Sequence, residues 1–223
     1  MEDIRKILLE KCAIFADASG ENLSCALVKN SRVISEVKMR GSALENLFEL
    51  VKKALMESKT ELSEISLFAF CIGPGSILGI RTNSAAFSVF RAASEGSLLA
   101  TWKMLDCYAQ ILKSKGLNEF SIVCASRKNY ANALISCDDN MSAKEIETSK
   151  IAELPKPVFY IAQRKNSDPN FANLEEVYFS ASQIFELLKS QPELLSVCKP
   201  YETPDALTLA KREYVKWNSH AQV

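Results

Sequence analysis

The fold of this 223-residue chain is decided by the stretch Phe68-Ala69-Phe70-Cys71-Ile72-Gly73-Pro74-Gly75-Ser76-Ile77-Leu78-Gly79-Ile80-Arg81. Residues 67–72 form a continuous apolar run, which is typical of a strand buried on both faces of a sheet. A helix is predicted directly after the glycines, over 80–95, ending at Gly96. Three of only seven glycines in the chain lie within 73–79, where the backbone needs a positive φ or a close approach. The order strand, glycine loop, helix predicts an α/β unit.

The spacing of this loop excludes three familiar phosphate and nucleophile motifs. The pattern G-x-G-x-x-x-G is one residue too long for the dinucleotide fingerprint, and it lacks the G-K-[ST] ending of a P-loop. Ser76 follows Gly75 directly, so the loop is not a G-x-S-x-G nucleophile elbow either. Two interpretations stay open. In the first, the free backbone N–H groups of the loop, together with Arg81, bind an anion. In the second, the loop is a tight structural turn and Arg81 pairs with a carboxylate.

The rest of the first half is predicted to begin with an antiparallel meander and to continue with helices and one more strand. Alternating or continuous apolar runs indicate the strands, and an apolar arc of roughly 160° indicates the helix over 42–58. The predicted strands are 12–17, 24–28, 32–39 and 97–101, and a further helix is predicted over 103–115.

The second half repeats this strand-first order. Strands are predicted over 121–125, 131–137, 158–162 and 177–179, with a polar stretch over 138–150. Ser180 and Gln183 have capping-box spacing before another helix, and Thr203-Pro204-Asp205 is a typical helix start. We therefore predict two lobes, 1–103 and 104–202, with a C-terminal helix over 203–217 that packs back on the first lobe.

Composition narrows the function classes. Lysine plus arginine and aspartate plus glutamate both total 27, so the net charge supplies no cationic surplus for nucleic acid. The single histidine, His220, excludes every metal site that needs two imidazoles. The seven cysteines are scattered without C-x-x-C spacing, as expected for buried thiols in a reducing cytosol. No signal peptide or membrane-spanning run is visible. The chain is expected to be cytoplasmic, without a metal or cofactor.

Residues 73–81, Gly-Pro-Gly-Ser-Ile-Leu-Gly-Ile-Arg, resemble the G-P-G-S-F-T-G-L-R signature of the bacterial TsaB (YeaZ) family, with seven of nine positions identical or conservative. Other segments resemble motifs of the same family and occur in the same order along the chain. Asp17-Ala18-Ser19 is similar to the family's D-T-S after the first strand, and Ser42 lies where the family has a His-Ser-Glu step. The hairpin 126–130 is similar to its D-A-R-x-x-E-V-Y hairpin. The resemblance covers about the first 135 residues.

The resemblance implies an α/β fold of two actin-like (RNase H-like) lobes, in the ASKHA superfamily. It also implies a role in forming N6-threonylcarbamoyladenosine in tRNA, as a non-catalytic subunit. In that family the protein pairs with the catalytic paralogue TsaD and with the ATPase TsaE through helices of the first lobe, and it meets tRNA only indirectly. The motif loop would comprise Gly73, Pro74, Gly75, Ser76, Gly79 and Arg81.

An enzyme is the alternative hypothesis, namely an actin-like ATPase or small-molecule kinase. Such an enzyme needs an acid in the first turn of each lobe to hold Mg²⁺. Asp17, with Ser19, is the candidate for a vestigial nucleotide site in the first lobe. The equivalent turn of the second lobe has Ser126-Arg127, without an acid.

The partner surface is predicted on the helix over 42–58 and on the helix after the glycine loop. An arc of roughly 160° is wider than the ~100° that a core-facing stripe needs, and small residues of the second helix permit close helix packing. We expect this surface to serve a homodimer when the chain is alone and a TsaD-like partner in the cell. The candidate interface residues are Leu44, Leu47, Phe48, Val51, Ala85, Phe87 and Phe90.

Overall fold

The computed structural model describes residues 4–138, 140–163, 168–199 and 202–209. In its first half, the elements are α1 (Ile4–Glu10), β1 (Cys12–Asp17), β2 (Asn22–Lys29), β3 (Arg32–Arg40), α2 (Ala43–Ser58), β4 (Ile65–Cys71), α3 (Ile77–Ala93), β5 (Leu98–Trp102) and α4 (Met104–Ser114). The second half contains β6 (Phe120–Ala125), β7 (Tyr130–Cys137), β8 (Asn140–Glu147), β9 (Val158–Ile161), β10 (Glu175–Glu176), α5 (Ala181–Ser190) and β11 (Ser196–Val197).

The strands form two mixed sheets with the same plan. The first has the order β11-β5-β4-β1-β2-β3 and the second has the order β10-β9-β6-β7-β8. In each sheet, the first three strands form an antiparallel meander, and the next strand along the chain pairs in parallel with the first strand of that meander. The meander and the α/β class predicted from the sequence are confirmed.

Side-chain alternation along β1 divides the first sheet into two buried faces. Ile14 and Ala16 belong to the core cluster that includes α2 and α3. Ala13 and Phe15 belong to a second cluster, which includes α1, α4, α5 and the β6 residue Ile122. The helices α4 and α5 therefore share one continuous core with both sheets.

Several element boundaries differ from the prediction. Helix α3 begins at Ile77 rather than at Ile80, because the Ser76 hydroxyl caps it by accepting from the Gly79 N–H at 3.2 Å. Strand β8 occupies the stretch predicted as polar and irregular. It is an edge strand with most of its side chains exposed, so no apolar alternation marks it. Helix α1 is not predicted from the sequence. The strand predicted over 177–179 is wrong: those residues are irregular, and the two-residue strand β10 lies just before them.

The segment 202–209 has no regular secondary structure, so the predicted helix start at Thr203 is wrong; the rest of the predicted helix 203–217, from residue 210 onward, lies outside the described residues. The segment still contacts the first half of the chain. The Leu207 N–H donates to the Ile72 carbonyl at 2.8 Å, and the Ser84 hydroxyl donates to the Pro204 carbonyl at 2.6 Å. These two bonds hold it beside the glycine loop as an irregular strap.

Two further elements of residues 104–202 return to the first sheet. Strand β11 pairs with β5, and α5 packs against β1 and β2. Within the described ranges, no helix is both long enough and apolar enough to cross a membrane.

Candidate functional site

The glycine loop between β4 and α3 is tied to two other parts of the fold. Gly73 has a φ of +99°, and its carbonyl accepts from the Met104 N–H at the start of α4 at 2.8 Å. The Ser76 N–H donates to the Ser19 carbonyl in the β1–β2 turn at 2.7 Å. The loop therefore fixes the start of α3 relative to both β1 and α4.

Gly75 and Gly79 are needed for close approach rather than for a special backbone conformation. A Cβ atom on Gly75 would lie 2.4 Å from the Ser19 carbonyl oxygen, and one on Gly79 would lie 2.6 Å from the Ala18 carbonyl oxygen. Real Cβ atoms essentially never come so near a backbone oxygen. The backbone of the β1–β2 turn thus packs directly on the first turn of α3.

Replacement of Gly79 by alanine is expected to lower the free energy of unfolding by about 2 kcal/mol, because the methyl group forces apart two packed backbones. A Gly→Ala change inside a helix normally raises the free energy of unfolding by about 1 kcal/mol. A decrease at Gly79 would therefore indicate the steric clash rather than the change in helix propensity. Ala85→Gly, at an exposed position in the middle of the same helix, is the control for the intrinsic difference between the two residues, and it should lose about 1 kcal/mol. Urea denaturation measures both variants, and a Gly79→Ala protein as stable as the wild type would contradict the close approach.

Arg81 takes part in an ion pair at the surface. Its Nε lies 3.6 Å from Asp205 Oδ1, and both side chains are exposed. Of the two interpretations left open by the sequence, this geometry favours a structural turn with Arg81 beside a carboxylate. An exposed pair of this kind contributes little to stability.

Asp17 and Ser19 lie in the interior, at the end of β1. Asp17 is only 4% exposed, and its Oδ1 accepts from the Ser19 N–H at 2.9 Å and from the Ser19 hydroxyl at 2.7 Å. The carboxylate that the kinase hypothesis needs for Mg²⁺ is therefore covered and already engaged.

Burial raises the pKa of the Asp17 carboxyl, against the lowering effect of the Ser19 hydrogen bonds. A raised pKa means that the folded state binds the proton more tightly, so this group's contribution to stability is full below about pH 4 and is lost as the pH rises. We expect Asp17→Asn, which keeps the accepting oxygen, to be more stable than the wild type at pH 8.

The difference in the free energy of unfolding between Asp17→Asn and the wild type should shrink as the pH is lowered from 8 to 4, as measured by urea denaturation at each pH. Asp106→Asn, a change at a partly exposed aspartate of α4, serves as the charge-matched control. A difference between Asp17→Asn and the wild type that stays constant from pH 4 to pH 8 would contradict the buried carboxyl.

A pocket of about 490 Å³, here called the interlobe pocket, opens beside the glycine loop. It is bounded by the β1–β2 turn, the N-terminal ends of α2 and α3, and the ends of β6 and β9. Among its described lining residues, Glu21 is the single titratable side chain. Asp17, Ser19 and Arg81 do not line it. The described part of its wall therefore carries one carboxylate and no cationic side chain.

A second feature of this region is an exposed apolar surface on α2 and α3. Six of the ten large hydrophobic side chains that are exposed among the described residues lie on these two helices. We call this set the apolar helix face: it comprises Leu44, Phe48, Met56, Ile77, Leu78 and Val89. Concentrated exposure of this kind marks an interaction surface more often than scattered single residues do.

The apolar helix face borders the interlobe pocket at one end and a groove at the other. Leu44, Ile77 and Leu78 line the interlobe pocket. Phe48 and Met56 line a groove of about 560 Å³ at the other end of α2. The face therefore offers both projecting side chains and recesses to a partner.

The structure separates the predicted interface residues into two groups. Leu44, Phe48 and Ala85 are exposed, whereas Leu47, Val51, Phe87 and Phe90 are buried in the core. The Phe87 ring, for example, packs on Phe70 with centroids 5.3 Å apart. The assignment of Leu47 and Phe87 to a contact surface is wrong, because both side chains are 0% exposed in the core. Val51 and Phe90 are buried as well, but they line the groove beside Phe48.

Sequence reasoning missed four members of the apolar helix face. Ile77 and Leu78 were placed in the loop, whereas the early start of α3 puts them on its first, exposed turn. Met56 and Val89 are not among the predicted interface residues. The sequence did contain a signal for Ile77 and Leu78, because these two adjacent apolar residues occupy the positions of Phe-Thr in the G-P-G-S-F-T-G-L-R signature.

Comparison with known proteins gives the fold. No family model matches the chain, and no curated protein matches its sequence. An uncharacterized protein "with similarity to peptidase YEAZ from Pseudomonas aeruginosa" superposes with a TM-score of 0.67 and 17% identity, over 90% of this chain and 100% of that one. YeaZ from Pseudomonas aeruginosa gives a TM-score of 0.62 and 17% identity, over 82% of this chain and 94% of that one. The chain has a YeaZ-like fold, and the predicted α/β class is confirmed.

Proposed function

We propose that this chain is a non-catalytic partner subunit in the formation of N6-threonylcarbamoyladenosine in tRNA. It binds a TsaD-like catalytic paralogue through the apolar helix face, and a TsaE-like ATPase joins that pair. The tRNA is contacted by the partner rather than by this neutral chain. The observation that carries the proposal is the concentration of six exposed apolar side chains on α2 and α3.

Burial of this face would favour a complex. Each large apolar side chain that leaves water contributes about 1.5–3 kcal/mol, and Phe48 is 57% exposed. Its ring is already held against Phe90, with centroids 5.4 Å apart, so little side-chain freedom is lost on binding. Phe48 thus has the properties of an aromatic anchor.

Two independent observations support the family role over an enzymatic one. The motif loop fixes α3 by backbone contacts, and the Asp17 carboxylate is engaged by Ser19 inside the fold. The YeaZ-like fold and the motif resemblance of residues 73–81 point in the same direction. In the absence of the partner, the same face joins two copies of this chain.

The test is co-expression with a tagged TsaD-like protein of the same host, followed by capture and light scattering. The expected result is a one-to-one complex with the partner and a homodimer of the 24.8 kDa chain alone. A chain that stays monomeric in both preparations would contradict the proposal.

A further inference from the structure

Gln163 joins the second sheet to the glycine loop across the boundary between the two sheets. It follows β9, at the carboxyl end of that strand, and it is only 7% exposed. Its backbone carbonyl accepts from the Glu21 N–H at 2.7 Å. Its side-chain Nε2 donates to the Pro74 carbonyl and also approaches Met104 Sδ at 3.7 Å. One residue thus contacts three separate segments of the first half.

Two glycines make room for this side chain. A Cβ atom on Gly20 would lie 3.0 Å from both Cα and the backbone oxygen of Gln163. A Cβ atom on Gly75 would lie 2.9 Å from Gln163 Nε2. The fit of Gln163 therefore depends on two positions that are far apart in sequence, in the β1–β2 turn and in the glycine loop.

Gln163 also forms part of the wall of the interlobe pocket, beside Gly20, Gly75 and Ser126. The pocket therefore lies where the two sheets are tied by this residue. Removal of its hydrogen bonds would leave the β1–β2 turn and the glycine loop without their direct polar link to β9.

We propose that Gln163 is an interlobe latch, a side chain whose hydrogen bond to the glycine loop holds the end of β9 against the β1–β2 turn and the start of α3. Release of the latch separates the end of β9 from the β1–β2 turn and from the loop that starts α3. The open form is a minor state, and the latch sets its population. This inference concerns the chain alone and does not depend on the proposed partner.

The Glu21 amide reports on the latch, because its hydrogen bond to Gln163 must break for its proton to exchange with solvent. Gln163→Met keeps a side chain of similar length but loses the N–H donor, so it removes the bond to Pro74 with little change in packing. Loss of one hydrogen bond corresponds to about a fivefold change in an opening equilibrium. We expect the Glu21 amide to exchange at least about fivefold faster in Gln163→Met.

Hydrogen exchange followed by NMR on the full chain makes this measurement, with the amides of β7 as the internal control. The β7 amides, in a strand paired on both sides by β6 and β8, exchange by global unfolding and show its urea dependence, whereas Glu21 should exchange through a smaller opening with a weaker urea dependence. If Glu21 exchange shows the same urea dependence as β7 exchange, both amides open only with the whole fold and the latch is overturned. If Glu21 exchanges at the wild-type rate, the side-chain bond does not control opening and the latch is equally overturned. Gln163→Asn, which keeps an amide on a shorter stem, should give an intermediate rate.

Discussion

Replacement of Leu47 by glutamate is expected to lower the free energy of unfolding by about 4 kcal/mol, enough to unfold much of the protein. Leu47 is 0% exposed, so the variant loses a buried side chain and forces a carboxylate into an apolar core. Leu44, three residues earlier on α2, is 64% exposed. The same substitution there should change stability by less than about 0.5 kcal/mol.

Urea denaturation followed by far-UV circular dichroism compares the two variants directly. The pair is matched in residue type, introduced charge and helix. Equal stability losses at both positions would contradict the assignment of Leu47 to the core and of Leu44 to the apolar helix face.

Replacement of Phe48 by glutamate is expected to weaken binding of the TsaD-like partner by at least about 100-fold, since a central aromatic anchor typically contributes 2 kcal/mol or more and the new charge must be desolvated. The fold should stay intact, because Phe48 projects from the surface. Isothermal titration calorimetry with the purified partner gives the affinity.

Leu9→Glu is the matched control for this experiment. Leu9 is 50% exposed on α1, and α1 packs with the core cluster on the other face of the first sheet from α2 and α3. It should bind the partner with wild-type affinity. If Phe48→Glu binds as tightly as Leu9→Glu, the partner surface lies elsewhere on the chain.

The sheets could be predicted from the sequence because their signals are local. The continuous apolar runs over 67–72 and 12–16 can be recognised from the chain alone. Strand β8 gave no such signal, since it lies at an exposed edge and needs no apolar face. Helix α1 is seven residues long, too short for its periodicity to stand out against a run of mixed composition.

The division of α2 between core and surface could not be predicted in the same way. A broad apolar arc contains both Leu44 and Leu47, and which edge of the arc faces solvent depends on where α3 packs. Gln163 gave no signal at all. Its side-chain contacts join residues 59 and 89 positions apart in sequence, and a single glutamine after a strand looks like any other loop residue.

The central proposal is tested most directly by the N6-threonylcarbamoyladenosine content of tRNA in host cells depleted of this chain, measured by mass spectrometry of digested tRNA. We expect the modified nucleoside to fall to a small fraction of its normal level. Wild-type chain and Leu9→Glu should restore it, and Phe48→Glu should not. An unchanged content of modified nucleoside after depletion would contradict the proposed role.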